Sequence, residues 1–185
     1  AAIKEFNTIS LSTAYTKDYN LYVADDNGNT TQVSTDGSID IVYGEAVHRN
    51  EFGIEKGLFW SPKGRYLAFY RMDQSMVTAF PQVDMTTRCA TVVPDKYPMA
   101  GEASHKVTVG IYDTKGKKTI YLDAGDPTDR YFTNIAWSPD ESTVYMIELN
   151  RDQNHAQLVA YDAATGKRTG VLVEEKNSKY VEPSH

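Results

Sequence analysis

Two polar residues stand just before a predicted β-hairpin, in a segment that has no strand pattern. Asn50 and Glu51 lie in HRNEFGIEKG, and the stretch LFWSPKGRYLAFY that follows has the pattern of strand, tight turn and strand. Glu45 is a neighbouring carboxylate in the same segment. Amide and carboxylate oxygens accept hydrogen bonds, so these residues are either aimed at a ligand or solvated in a turn. The residues alone leave both interpretations open.

The remaining residue patterns do not form a catalytic or metal-binding set. A nucleophile elbow, G-x-S-x-G, does not occur in the sequence. Gly166-Lys167 lacks the earlier glycine of a phosphate-binding loop, and the acidic run that starts at Asp25 lacks the alternating spacing of a calcium loop. The four histidines have no metal-ligand spacing, and Cys89 has no evident activating partner. We therefore expect no catalytic residue, no metal and no cofactor in this chain.

Composition narrows the class of protein. The chain has 185 residues, 41% of them apolar, which suits one domain or a piece of a larger one. The formal net charge is −6 and there is no basic block, which argues against nucleic acid as a partner. The sequence contains no run of about eighteen apolar residues, so it predicts no transmembrane helix. No signal peptide is visible at the N-terminus, and this does not fix the compartment.

A strand–turn–strand unit recurs along the chain. Trp-Ser-Pro occurs at Trp60 and again at Trp137, and each copy leads through a polar turn into an apolar strand. Trp60 and Asp113 are 53 residues apart, whereas Trp137 and Asp162, at the corresponding strand ends, are 25 apart. The earlier unit therefore carries 28 additional residues. They fall at about 74–106, where three of the seven prolines argue against a central strand.

Units of four short strands, with a tryptophan at the end of the first, are typical of β-propeller blades. The predicted fold is all-β: two near-complete four-stranded blades plus part of another, with an insertion in the middle blade. The first blade is expected to begin with its second strand. Both tryptophans are expected to pack in the core or between blades. The predicted divisions are a partial blade at about 8–37, an inter-blade segment carrying the candidate site at 38–55, a blade at 56–125 with its insertion at about 74–106, and a blade with the exit at 126–185.

A propeller needs about four to eight blades to close, so residues 1–185 are predicted to be part of one larger propeller domain. The run NEFGIEKGLFWSPKGRYLAFYRMDQSMV resembles the propeller domain of the dipeptidyl-peptidase IV family, in the prolyl oligopeptidase superfamily of serine peptidases. In that family a Glu-Glu pair precedes a W-W-S/A/C-P strand end, and Asn50 to Trp60 fits this pattern without a gap. The stretch DKYPMAGEASHKVTVGIYD and the blade that follows it also resemble the family.

The resemblance implies a function for the polar pair. Glu51, with Asn50 in place of the first Glu, would bind the free amino terminus of a peptide substrate. A gapped alignment makes Glu45 the alternative acid. The loss of one acid puts the strength of amine recognition in question. Arg71 and Asp73, after the following strand, either shape the cavity or pair at the surface.

The resemblance also implies the rest of the protein. The parent would be a serine exopeptidase that removes X-Pro or X-Ala dipeptides, with its Ser, Asp and His in a C-terminal α/β-hydrolase domain. This chain alone should then be inactive, contributing substrate gating and recognition. A homodimer, and a periplasmic or cell-surface location, are expected by the same likeness.

Two alternatives remain open from the sequence. Blade repeats fit a non-enzymatic propeller that binds protein partners, since fold does not imply function. Asn50 keeps a related tripeptidyl or acylaminoacyl peptidase under consideration. The open blade edges also predict that the isolated chain pairs with another copy or is only marginally stable.

Overall fold

The computed structural model describes residues 3–45, 56–75, 106–128, 130–152 and 154–176. Within these ranges the chain forms thirteen β-strands, which pair into three antiparallel sheets. None of the described residues belongs to a helix with the length and apolar character needed to cross a membrane. The all-β propeller segment predicted from the repeats is confirmed.

The first sheet has four strands in sequence order, β1-β2-β3-β4. Its strands are β1 Lys4–Phe6, β2 Thr13–Lys17, β3 Asn20–Ala24 and β4 Thr30–Gln32. The prediction that this unit begins with its second strand was wrong, because Lys4–Phe6 is the first strand of the sheet and pairs with β2. Three residues, two of them charged, give too short an alternation to be recognised in the sequence. We call the first strand of each sheet its inner strand.

The second sheet has an inner strand made of two pieces. Its strands are β5 Ile41–Tyr43, β6 Leu58–Trp60, β7 Tyr66–Asp73, β8 Lys106–Asp113 and β9 Lys118–Tyr121. Both β5 and β6 pair antiparallel with β7, β5 opposite 71–73 and β6 opposite 67–69. The predicted inter-blade segment at 38–55 therefore contributes the strand Ile41–Tyr43 to the second sheet.

The third sheet is the most regular of the three. Its strands, in order, are β10 Arg130–Trp137, β11 Thr143–Asn150, β12 His155–Asp162 and β13 Arg168–Lys176. The connection from β11 to β12 spans only residues 151–154, whereas β7 ends at Asp73 and β8 begins at Lys106. The additional residues of the middle unit therefore lie between its second and third strands, and 76–105 fall outside the described residues.

The sheets pack face to face through two apolar layers. One layer joins the second and third sheets around Tyr66, Tyr70, Ile111, Met146 and Tyr161, and the other joins the first and second sheets around Leu21, Leu58, Leu67, Phe69 and Tyr112. The layers alternate because successive side chains of a strand point to opposite faces.

The two tryptophans lie between sheets, as the sequence predicts. The Trp137 ring stacks on Tyr66 with centroids 5.8 Å apart, and its indole N–H donates to the Phe59 carbonyl at 3.0 Å. The Trp60 indole N–H donates to the Glu5 carbonyl at 2.9 Å. Each inner strand is thereby bonded to the inner strand of the preceding sheet.

Candidate functional site

Of the three predicted site residues, Glu45 alone lies in the part of the chain that the structure describes. Asn50 and Glu51 fall in 46–55, outside the described residues. Glu45 is exposed and lies two residues after the end of β5, the first piece of the inner strand of the second sheet. The geometry of the site is therefore read from the two points at which the chain leaves this strand and returns to it.

Both points are hydrogen-bonded to the same residue of β7, Tyr70. The Gly44 N–H donates to the Tyr70 carbonyl at 2.9 Å, and the Tyr70 N–H donates to the Gly57 carbonyl at 3.1 Å. We call the intervening residues the 45–56 excursion. Its ends are fixed to the strand β7, partway along its length, rather than to a link between sheets.

A glycine flanks the excursion at each end, and each glycine has a geometric reason. Gly44 has φ +77°, in the left-handed region where side chains are rarely tolerated. A Cβ on Gly57 would lie 2.6 Å from the carbonyl carbon and oxygen of Gly44, which is closer than any real contact. The two ends of the excursion therefore touch backbone to backbone.

The third sheet shows what the inner strand is like without an excursion. Trp60 pairs with Leu67 and Trp137 with Val144, so the two sheets can be aligned on these pairs. On this alignment the excursion falls where β10 has a β-bulge, a register shift between Thr133 and Ala136. The excursion is thus a long insertion at a point where the inner strand of the neighbouring sheet already carries an extra residue.

A hydrogen-bonded triad of side chains lies at the first end of the excursion. The Tyr43 hydroxyl donates to Asp36 Oδ1 at 2.5 Å, the Arg71 Nε–H donates to the Tyr43 oxygen at 3.1 Å, and Arg71 Nη2 donates to Asp36 Oδ2 at 2.7 Å. Tyr43 is 4% exposed and directly precedes Gly44. The Tyr43 ring packs against Phe69, with centroids 5.8 Å apart.

The charges of the triad stabilise one another. Burial alone would raise the pKa of Asp36, but hydrogen bonds from Tyr43 and Arg71 and the charge of Arg71 hold it below its usual value. Burial, followed by the hydrogen bond to Asp36, raises the pKa of Tyr43. Near neutral pH the triad is therefore an arginine cation and an aspartate anion bridged by a neutral phenol.

The second end is fixed more weakly. Lys56, which directly precedes Gly57, places its Nζ 3.1 Å from Glu5 Oε2 of the first sheet and 5.4 Å from the Phe59 ring centroid. The Lys56 side chain is 54% exposed, so this ion pair contributes about 1 kcal/mol at most.

Sequence reasoning missed the triad. Arg71 had two interpretations, cavity or surface pairing, and the structure shows that it pairs with Asp36 and Tyr43. Asp73 instead accepts hydrogen bonds from the Ser75 amide and hydroxyl. The only signal for the triad was a tyrosine at the end of an apolar run, because its partners lie 7 and 28 residues away.

A cleft of about 510 Å³ lies elsewhere, between turns of the first and second sheets. Its lining includes Asp25, Asp26, Lys63, Lys115 and Lys117, and does not include Gly44, Glu45 or Gly57. The Asp25 carboxylate accepts hydrogen bonds from the amides of Asn27 and Asn29 in its own turn. Among the described residues, the cleft is therefore lined by turns of the sheets and not by the ends of the excursion.

Comparison with known proteins decides the family. The chain matches the family described as "Dipeptidyl peptidase IV (DPP IV) N-terminal region" over residues 1–185. The chain belongs to this family. A protein of Phaeosphaeria nodorum named "Probable dipeptidyl-aminopeptidase B" is 30% identical over 93% of this chain and 21% of its own length.

Two solved structures are similar to this chain over nearly its whole length. A crystal structure from Bacteroides ovatus that carries the name dipeptidyl aminopeptidase IV has a TM-score of 0.82 and 57% identity, covering 97% of this chain and 25% of that one. Porphyromonas gingivalis dipeptidyl peptidase 4 has a TM-score of 0.81 and 26% identity, covering 97% and 26%. The chain thus spans about a fifth to a quarter of the length of these relatives. The family resemblance drawn from the sequence is confirmed.

Proposed function

We propose that this chain is the part of a serine dipeptidyl peptidase that gates the substrate and binds its free amino terminus. The parent removes X-Pro or X-Ala dipeptides from peptide N-termini. The observation that carries the proposal is the family match over all 185 residues, within which the 45–56 excursion contains the acid of the family motif. The names of the relatives support the peptidase class.

Glu51 is the proposed anchor for the substrate ammonium group. A carboxylate that faces an ammonium ion in a cavity with little water forms a charge-assisted hydrogen bond of roughly 1.5–3 kcal/mol. Asn50 accepts a second N–H of the same ammonium through its amide oxygen without adding charge. This binding places the scissile carbonyl two residues away at the nucleophile, which raises its effective molarity.

The attachment of both ends of the excursion to β7 supports a role in binding the substrate amino terminus at a fixed position. A group that measures a fixed distance must be held at a fixed origin, and both ends of the excursion are hydrogen-bonded to β7 within the sheet. The nucleophile, acid and base belong to a C-terminal α/β-hydrolase domain in this proposal. The isolated chain is then inactive, and the parent is a homodimer in the periplasm or at the cell surface.

The test uses the full-length parent and a Gly-Pro chromogenic amide. Glu51→Ala is expected to lower kcat/KM by about 100-fold, equivalent to about 2.7 kcal/mol. Glu175→Ala, an exposed glutamate on β13, is the matched control and should leave kcat/KM unchanged.

The results of this test distinguish the proposed function from its alternatives. Robust wild-type activity with no effect of Glu51→Ala moves the anchor, first to Glu45. Wild-type activity only on tripeptide or acylated substrates favours a related peptidase of different cut length. No activity on any of these substrates favours the alternative that the parent is a non-enzymatic propeller that binds protein partners.

A further inference from the structure

We propose that Tyr43, Asp36 and Arg71 are positioning residues for amino-terminus recognition: they fix the origin of the excursion that carries Glu51. The inference rests on the proposed function and names residues that the family motif does not include. None of the three is proposed to touch the substrate.

The first argument is convergence at one point of the chain. Tyr43 is the last residue of β5, Asp36 lies in the link from the first sheet, and Arg71 lies on β7. The three side chains meet in three hydrogen bonds of 2.5, 3.1 and 2.7 Å, one residue before the chain leaves the strand at Gly44. The start of the excursion is thereby fixed both to β7 and to the link that leads into β5.

The second argument is that backbone pairing alone holds this end weakly. β5 has only three residues, and it pairs with β7 on one edge. In β6 the chain resumes as a second piece of three residues. A strand this short needs side-chain contacts to keep its position, and a tyrosine bonded to both an arginine and a carboxylate supplies them.

The third argument is the contrast with the third sheet. There the position of Tyr43 is taken by Phe132, since Tyr43 pairs with Arg71 and Phe132 with Glu148. Phe132 has no hydroxyl, and β10 runs through its bulge as one strand from Arg130 to Trp137. The hydroxyl is present where the chain departs for the excursion and absent where the strand continues.

The expected effect is on substrate binding rather than on chemistry. Removing the Tyr43 hydroxyl leaves the ion pair between Arg71 and Asp36 in place. The end of β5 then loses its side-chain hydrogen bonds to that pair. The carboxylate of Glu51 then loses its fixed origin, so the substrate ammonium group is bound less well, while the catalytic groups of the hydrolase domain are untouched. KM should rise and kcat should change little.

The experiment measures steady-state kinetics of the full-length parent on a Gly-Pro chromogenic amide. Tyr43→Phe should raise KM by about 5- to 20-fold with kcat within about twofold of wild type. Asp36→Asn, at a side chain that is 49% exposed, should raise KM in the same direction and provides a second variant if Tyr43→Phe fails to fold. The double variant should raise KM no more than the larger single effect, because both changes break one unit.

Tyr161→Phe is the matched control. It also removes a hydrogen bond from a buried tyrosine to a carboxylate, that of Glu148, but in the third sheet. KM should stay at the wild-type value in this variant. An equal rise of KM in Tyr161→Phe and Tyr43→Phe would show general loosening of the domain and would overturn the inference.

Two further measurements separate this inference from the proposed function. The rate of labelling by a small fluorophosphonate reports the serine nucleophile without an amino terminus, and it should be unchanged in Tyr43→Phe. If Glu51→Ala loses activity while Tyr43→Phe and Asp36→Asn keep KM within about twofold, the positioning role alone is wrong. If Glu51→Ala has no effect on an active parent, the anchor lies elsewhere and the inference, which requires Glu51, is wrong. If the wild type is not labelled, the proposed function itself fails and the inference with it.

Discussion

At the scale of single residues, Glu141 shows how one carboxylate joins two sheets. Glu141 Oε2 accepts the Ser61 hydroxyl at 2.5 Å, the Lys63 amide at 2.8 Å and the Arg65 amide at 3.2 Å, all in the β6–β7 turn. Glu141 is 9% exposed and lies in the corresponding turn of the third sheet. Each donor would otherwise be a partly buried polar group without a partner, so this contact ties the ends of neighbouring blades.

The first prediction concerns the acid stability of this contact. Burial alone would raise the pKa of Glu141, but the hydrogen bonds from Ser61, Arg65 and Lys63 hold it below its usual value. A carboxyl whose pKa is lower in the folded state stabilises the fold above its unfolded pKa, and this contribution is lost as the pH falls through the folded value. Glu141→Gln should cost about 1–3 kcal/mol at pH 7 and should flatten the loss of stability on acidification.

Urea denaturation at pH 7 and at pH 3 would measure this difference. Glu175→Gln, at an exposed glutamate of β13, should match wild type at both values and serves as the control. A Glu141→Gln variant as stable as wild type at pH 7, or with an undiminished acid limb, would contradict the role of the carboxylate.

Residue types predicted some of these contacts and not others. Trp60 and Trp137 were recognisable because each follows an apolar run and precedes Ser-Pro, and both lie between sheets. Glu141 was not, because its partners lie 76 to 80 residues away in the chain. In the sequence it is one of several turn residues, and the third sheet's own turn uses Asp140 instead, whose side chain accepts from Ser138 and Ser142.

At the scale of elements, the divided inner strand of the second sheet is the main feature. β5 and β6 pair with one partner, β7, and the 45–56 excursion leaves between them with its ends in backbone contact. Sequence patterns placed the polar segment before the hairpin but assigned it to a link between blades. Three-residue strand pieces give little periodicity, and the contact of Gly44 with Gly57 is a property of the fold alone.

The second prediction tests this contact with matched glycines. Gly57→Ala places a Cβ 2.6 Å from the Gly44 carbonyl, against backbone that cannot move aside cheaply, and should cost about 1–3 kcal/mol. Gly170→Ala on β13 meets nothing within 4 Å and should be neutral or slightly stabilising. Urea denaturation of both variants would measure the difference, and equal stabilities would show that the two ends are not in contact.

At the scale of the whole molecule, a regular interlock joins the three sheets. Each tryptophan donates its indole N–H to a carbonyl of the preceding inner strand, Trp60 to Glu5 and Trp137 to Phe59. Phe6 holds the equivalent position in the first sheet and is 52% exposed. The position at which a tryptophan bonds the second and third sheets to the sheet before them is thus occupied in the first sheet by a solvent-exposed phenylalanine.

The third prediction follows for residues 1–185 produced alone. Besides Phe6, the chain exposes Ile9, Leu11 and the β13 residues Val171, Leu172 and Val173, which are 42–69% exposed. Exposed apolar side chains beside unpaired strand edges favour association. Size-exclusion chromatography over a range of concentrations should show self-association or partial unfolding. A stable monomer with a concentration-independent elution volume would count against this expectation.

The bulge in the third sheet has a practical consequence for protein engineering. Between Thr133 and Ala136 the inner strand accepts an extra residue and still pairs with β11 on both sides. The second sheet accepts a whole excursion at the same position, closed by Gly44 and Gly57. Asn134, already at φ +56°, is therefore the natural place to graft a binding loop between two glycines. Such a graft would leave the third sheet at the position equivalent to the one where the 45–56 excursion leaves the second sheet.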